Sequence, residues 1–131
     1  MGIIQHSRPL RVLVVDDCRD QTDTLSLLLR LTGHDVAVAY DGAAALQAAC
    51  ALRPDVALVD LEMPGMDGYE VARRLRQLDA CRDAVLVALT GHGQERDKRR
   101  CREAGFDDHL LKPVELERLQ LLLATRQPQP T

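Results

Sequence analysis

The sequence has no tryptophan, two tyrosines and one phenylalanine in 131 residues. With so few rings, a core has to be built from Leu, Val, Ile and Ala. The shortage also weighs against modules that bind nucleic acid by stacking bases on aromatic side chains. Excess charge is scarce too. The formal net charge is -3, too small to imply a polyanion or membrane partner by itself. No apolar run approaches membrane-spanning length, and Met1 to Pro9 holds no apolar stretch of the signal-peptide kind. Cys18, Cys50, Cys81 and Cys101 form no C-x-x-C pair and no Cys/His cluster. They read as reduced thiols, mostly core packing, in a cytoplasmic setting. What remains is ordinary: 46% hydrophobic and 28% charged residues, in a chain long enough for one core.

The chain alternates strand and helix signals. Arg11 to Val15 is a β-branched run ended by Asp16-Asp17, which reads as a buried strand. Leu25, Leu28, Leu29 and Thr32 then recur at helical spacing, and Gly33 stops that helix. Asp35 to Ala39 reads as a second strand. Gly42 to Leu52 is an Ala-rich helix with Asp41 as its N-cap, ended by Arg53-Pro54. Val56 to Val59 is a third buried strand that delivers Asp60 at its carboxyl end. The loop Met63-Pro64-Gly65-Met66 follows. The next helix starts at Asp67, with Glu70 three places on as a capping-box-like pair. Its apolar face is Val71, Ala72, Leu75 and Leu78. Ala84 to Leu89 reads as a fourth strand ending in Thr90-Gly91. Gln94 to Ala104 reads as a charged, mainly solvated helix stopped by Gly105. Asp107 to Leu111 reads as a fifth strand leading into Lys112-Pro113. Leu116, Leu119 and Leu123 line a final helix. Residues 1–8 are expected to be an extension, 9–125 the domain, and 126–131, with two prolines, a disordered tail. His6 and His34 read as surface residues.

Five buried strands alternating with helices imply a parallel sheet covered on both faces. Ligands of such sheets bind beyond the carboxyl ends of the strands. Asp16, Asp17, Asp60, Thr90 and Lys112 all fall there. Singly, each has an ordinary reading: Asp17 as a helix cap, Asp60 and Thr90-Gly91 as turn residues, Lys112 as a solvated lysine. Their shared edge makes the set informative. Three carboxylates would repel one another unless a cation joined them, and oxygen ligands that keep some water select Mg²⁺ or Mn²⁺. A carboxylate nucleophile, a hydroxyl and a fixed ammonium suit formation of an aspartyl phosphate.

The sequence resembles a response-regulator receiver domain. The matching stretches are Val12 to Asp17, Asp55 to Asp60 with Met63 to Gly68, Ala88 to Gly91, and Ala104 to Asp108 through Lys112-Pro113, spanning about residues 9 to 125. Ala39 to Gly42 and Leu89 to Glu95 are similar, more finely, to receivers attached to hybrid sensor kinases. The resemblance implies a flavodoxin-like (βα)5 fold: a doubly wound five-stranded parallel sheet of order 2-1-3-4-5. It implies that Asp16, Asp17, Asp60 and the Glu62 carbonyl hold Mg²⁺ (or Mn²⁺). It implies that Asp60 is phosphorylated, that Thr90 senses the phosphoryl group, that Lys112 pairs with it, and that the Lys112-Pro113 peptide is cis. The donor would be a phosphohistidine on a histidine kinase or histidine phosphotransfer protein. Output would pass through the fourth helix, fifth strand and fifth helix to a protein partner, with a homodimer as one outcome; by composition, no direct contact with nucleic acid and no membrane insertion are expected. Such a domain is a signalling module, an enzyme only toward its own phosphorylation and dephosphorylation.

One position departs from the family pattern. Three residues before the lysine, receivers usually carry Tyr or Phe as a switch; here it is His109. An imidazole is smaller, polar and able to protonate near neutrality, so a weaker or pH-sensitive switch is expected. Glu62 and His92 flank the site at positions that tune phosphate lifetime in the family. Three other classes compete. A pseudo-receiver that only binds a partner would normally have lost the acidic pair, Asp60, Thr90 or Lys112. A phosphatase of the haloacid dehalogenase type needs an Asp where Glu62 stands. A flavin carrier needs a phosphate loop where Asp16-Asp17-Cys18 would repel phosphate.

Overall fold

The computed structural model describes residues 9–91 and 95–125, without the side chains of 95–97. The expected extension 1–8, the tail 126–131, His6, His92 and the proposed helix start at Gln94 lie outside the described residues. The elements are β1 Arg11–Val15, α1 Arg19–Leu31, β2 Asp35–Ala39, α2 Gly42–Leu52, β3 Val56–Asp60 and α3 Gly68–Arg76. A 3-10 turn at Asp79–Cys81 follows, then β4 Val85–Thr90, α4 Glu95–Ala104, β5 Asp108–Leu111 and α5 Leu116–Thr125. The strands form one parallel sheet in the order β2-β1-β3-β4-β5, the flavodoxin-like arrangement expected.

The strand sequences explain the two-sided cover. Successive side chains point to opposite faces. Leu13, Val15, Ala57 and Val59 pack into one cluster with Ala45 and Ala49 of α2, Val71 and Leu75 of α3, and Ala104 of α4. Val12, Val14, Val56 and Leu58 pack into the other, with Leu25 and Leu29 of α1 and Leu119 and Leu123 of α5. Every residue of these central runs is apolar because both faces are buried.

The caps behave locally as read, with two differences. The Asp41 carboxylate accepts from the Ala44 N–H at 2.8 Å and Asp67 from the Glu70 N–H at 3.0 Å. Glu70 does not complete a capping box: its carboxylate turns to Arg73 and Arg74, at 3.0 and 2.8 Å. At α1 the N-cap is Cys18, with no side-chain cap bond, so Asp17 is not a helix cap. Gly33 and Gly105 end their helices with φ of +98° and +110°, a region that glycine enters without steric cost. Arg53 does the same at φ +53° with a side chain.

Other corrections have simple causes. His34 is buried, because its Nδ1 accepts the Leu10 N–H at 3.0 Å. Cys81 and Cys101 are buried, but Cys18 and Cys50 are exposed. Leu78 lies past α3, in the turn before Asp79–Cys81. β4 runs one residue later than expected and takes in Thr90, whose carbonyl accepts the Lys112 N–H at 2.8 Å. β5 starts at Asp108, one residue later than expected; the Asp107 N–H still bonds the Leu86 carbonyl at 2.7 Å, and its carboxylate binds Arg76 and the Leu86 N–H. No described helix is long and apolar enough to cross a membrane.

Candidate functional site

Strand register assembles the site. Val15 pairs with Val59 on the adjacent central strands, so the next residues, Asp16 and Asp60, emerge side by side. Asp60 pairs with Leu89 and Thr90 with Leu111, which places Thr90 and Lys112 at the same edge. The turn after β3 folds back tightly: a Cβ on Gly68 would lie 2.3 Å from the Asp60 carbonyl oxygen and 2.6 Å from the Leu61 Cα. Only a residue without a side chain allows α3 to start there.

Oxygens of Asp16, Asp17 and Asp60 lie within 4.8 Å of one another. Asp16 and Asp60 are 3% and 4% exposed, whereas Asp17 is exposed. Lys112 Nζ lies 3.0 Å from Asp16 Oδ2 and 3.5 Å from Asp60 Oδ1. Asp16 Oδ1 accepts the Cys18 N–H at 3.1 Å, and Asp60 Oδ1 accepts the Glu62 N–H at 3.2 Å. The Thr22 hydroxyl, not foreseen from the sequence, lies 2.6 Å from the Cys18 carbonyl and 3.1 Å from the Asp16 carbonyl, where α1 meets the site. Thr90 is buried, and its hydroxyl oxygen has no hydrogen-bond partner among the described residues. The Lys112-Pro113 peptide is cis.

The charges do not balance. Three carboxylates face one ammonium. Burial, with the neighbouring charge of Asp16, pushes the Asp60 carboxyl up to about 6. Burial also works against the Lys112 ammonium, but its hydrogen bond to Asp16 and the charges of Asp60 and Asp16 outweigh this and raise its pKa. Uncompensated hard oxygens of this kind fit a divalent cation such as Mg²⁺ or Mn²⁺. The unpartnered Thr90 hydroxyl is a donor awaiting an acceptor.

The structure brings Asp16, Asp17, Asp60, Thr90, Lys112 and the Glu62 backbone to one edge. It does not bring His109 there. Leu110 packs against the α1 and α5 side, so strand alternation puts His109 on the α4 side, where it is exposed.

Comparison with known proteins agrees with this geometry. The family model for the response regulator receiver domain matches residues 12–124. The DNA-binding dual master transcriptional regulator RpaA of Synechocystis is 37% identical over 109 residues, covering 83% of this chain and 45% of that protein. The transcriptional regulatory protein PrrA of Mycobacterium tuberculosis is 43% identical over 109 residues, covering 83% of this chain and 46% of that protein. The chain thus spans less than half the length of these curated relatives. Among solved structures, chemotaxis protein CheY4 of Vibrio cholerae superposes with a TM-score of 0.85 at 30% identity, covering 92% of this chain and 99% of that one. The receiver domain of a Pseudomonas aeruginosa sensor histidine kinase, solved with magnesium coordinated in its active site cleft, has a TM-score of 0.78 at 31% identity, covering 88% of this chain and 94% of that one. The family match and CheY4's near-complete coverage lead to one conclusion: the chain belongs to the response regulator receiver domains of two-component signalling.

Proposed function

We propose that Asp60 accepts a phosphoryl group from a phosphohistidine on a histidine kinase or histidine phosphotransfer protein, and that the modified domain changes its binding to a protein partner. The observation that carries this reading is the buried Asp60 carboxylate, clustered with Asp16 and Asp17 and 3.5 Å from the Lys112 ammonium, which also reaches Asp16 at 3.0 Å. Asp16, Asp17, Asp60 and the Glu62 carbonyl would hold Mg²⁺ or Mn²⁺, which supplies charge neutralisation for carboxylate and phosphoryl oxygens together. In the metal-free site the Asp60 carboxyl is raised to about 6 by burial and the charge of Asp16, a cost that a bound divalent cation would offset, leaving the ionised carboxylate as the nucleophile. The Glu62 N–H orients it through Oδ1. Lys112, held between Asp16 and Asp60, would meet a phosphoryl oxygen on Asp60, and the Thr90 hydroxyl would donate to another. Burial keeps the site partly dry, so each of these contacts counts for more than in open water.

Output through α4, β5 and α5, a phosphorylation-driven homodimer and a cytoplasmic location belong to the same proposal. So does recognition of protein rather than nucleic acid, which the scarcity of aromatic side chains and the net charge of -3 favour. The alternative is a pseudo-receiver that binds a partner without phosphorylation. Beryllofluoride with Mg²⁺ separates the two. Saturable binding that is lost in Asp60→Asn supports phosphoacceptor chemistry; no binding, or unchanged binding in that variant, supports the pseudo-receiver.

A further inference from the structure

Far from the carboxylate cluster, β2 forms one edge of the sheet, with β1 as its strand neighbour. The Asp35 N–H bonds the Leu10 carbonyl, and the Ala39 carbonyl accepts the Asp16 N–H. Residues 35, 37 and 39 therefore direct their backbone groups at β1, and Val36 and Val38 direct theirs outward. Such an outward row is a template for another strand. Among the described residues, the contact made along it comes from α1: Arg30 Nη2 donates to the Val36 carbonyl at 3.0 Å. The Val36 N–H and both backbone groups of Val38 are open.

α1 overhangs this edge with apolar surface. Asp23 and Arg30 are both anchored on the β2 side, Asp23 by the Tyr40 hydroxyl just past the strand and Arg30 by the Val36 carbonyl. Leu27 is four residues from one and three from the other, so it lies between them on the same side. It is 55% exposed, and Leu31, one turn on, is 73% exposed. Large exposed leucines beside an open strand edge mark an interaction surface.

We propose that the β2 edge, with Leu27 and Leu31 of α1 above it, is a self-pairing surface through which two copies of this chain join their sheets. It is a different face from α4, β5 and α5, and it does not depend on phosphorylation of Asp60. A second copy is the occupant because the edge is complementary to itself. The outward residues Val36 and Val38 are symmetric about Ala37. An antiparallel copy sets each Val36 opposite a Val38, and each such pair exchanges two hydrogen bonds. The two-fold axis then stands perpendicular to the sheet and leaves both copies of α1 on the same face. With strands about 4.8 Å apart, the two helices lie roughly 10 Å apart, a packing distance, with Leu27 at the seam. The charges agree as well. Along α1 the order is Asp23, Leu27, Arg30, and the axis reverses it in the other copy. When the Val36 carbonyl takes up a strand bond, Arg30 is released on the side of the partner's Asp23. Such an isologous contact closes as a dimer.

Sedimentation of the full chain in a chelator, without phosphodonor, tests the proposal. Wild type should pass from monomer to dimer as concentration rises, and amide exchange at Val36 and Val38 should slow in step. Val38→Pro removes an outward N–H from each copy and leaves the β1 ladder intact. Leu27→Asp sets like charges across the seam. Each should raise the dimer Kd at least about tenfold. Leu27→Asp should leave the melting temperature of the dilute chain unchanged, so it alone decides if Val38→Pro costs folding. Leu111→Asp, on β5 at the opposite edge, should leave the dimer as it is. A wild-type chain still monomeric at about 1 mM, a dimer that survives Leu27→Asp, or one that Leu111→Asp abolishes would overturn the proposal. So would slow exchange at Val36 and Val38 that does not vary with concentration, because the edge would then be covered from within its own chain.

Discussion

Replacing Asp60 with asparagine should stabilise the metal-free protein, and the gain should grow with pH. The Asp60 carboxyl is raised from 3.8 to about 6 by burial and by the charge of Asp16. Below about pH 4 the carboxyl is protonated whether folded or unfolded, and it contributes nothing to the balance. Between about pH 4 and pH 6 the unfolded chain releases this proton while the folded chain keeps it. The folded state then binds more protons, so stability falls as pH rises through this window. Above about pH 6 the full cost is present. A rise from 3.8 to about 6 corresponds to roughly 3 kcal/mol, at about 1.4 kcal/mol for each tenfold change in proton affinity. That is large beside the 5–15 kcal/mol typical of a domain's total stability. Asparagine has the same shape and no charge, and it leaves Lys112 paired with Asp16 at 3.0 Å. Urea denaturation followed by circular dichroism, in a chelator, measures the effect. Asp60→Asn should match wild type near pH 4 and exceed it by about 2–3 kcal/mol at pH 8. Adding Mg²⁺ should narrow the gap at pH 8, because an ion that binds the folded wild-type cluster stabilises it by mass action. Equal stability at pH 8 in the chelator, or a less stable variant, would refute the claim that Asp60 is held at an electrostatic cost.

Three further outcomes follow from single residues. Lys112→Met should slow phosphorylation of Asp60 by acetyl phosphate about 10²-fold, the usual loss when one donor to a developing anion is removed; a change under threefold would mean that Lys112 does not meet the phosphoryl group. Arg53→Gly should raise the urea midpoint by the equivalent of about 1 kcal/mol, because Arg53 holds φ +53° and its ion pair with Asp79 is long at 3.7 Å and exposed; a lower midpoint would show that its side chain contributes more than the backbone costs. His109→Tyr should enlarge the beryllofluoride-induced amide shifts in α4, β5 and α5; shifts unchanged from wild type would show that position 109 does not carry the signal.

Most of the fold was legible because its signals are local. Apolar runs such as Val12 to Val15 and Val56 to Val59 must be buried on both faces, and Asp41, Asp67, Gly33 and Gly105 mark helix ends by chemistry that acts within a turn. The candidate site could be assembled for a related reason: Asp60 and Thr90 end strands and Asp16, Asp17 and Lys112 follow directly on them, so a parallel sheet carries them to one edge. What stayed hidden depends on contacts between distant segments. His34 is buried because Leu10, 24 residues away, donates to its ring. Arg76 of α3 binds the Asp107 carboxylate, 31 residues on, at the start of β5. Arg100 reads as part of a solvated face in one dimension, and only the packing of α4 on α3 places it over Tyr69. His109 was identifiable as a departure, but its exposure depends on the face that β5 presents, which Leu110 decides.

The most direct test of the central claim is to locate the phosphoryl group. The chain would be incubated with acetyl phosphate and Mg²⁺, trapped with borohydride, which reduces an aspartyl phosphate to homoserine, and mapped by peptide mass spectrometry. The account predicts homoserine at position 60, lost in Asp60→Asn and in excess chelator. Homoserine at another aspartate in the wild-type chain, or none at any position, would contradict it.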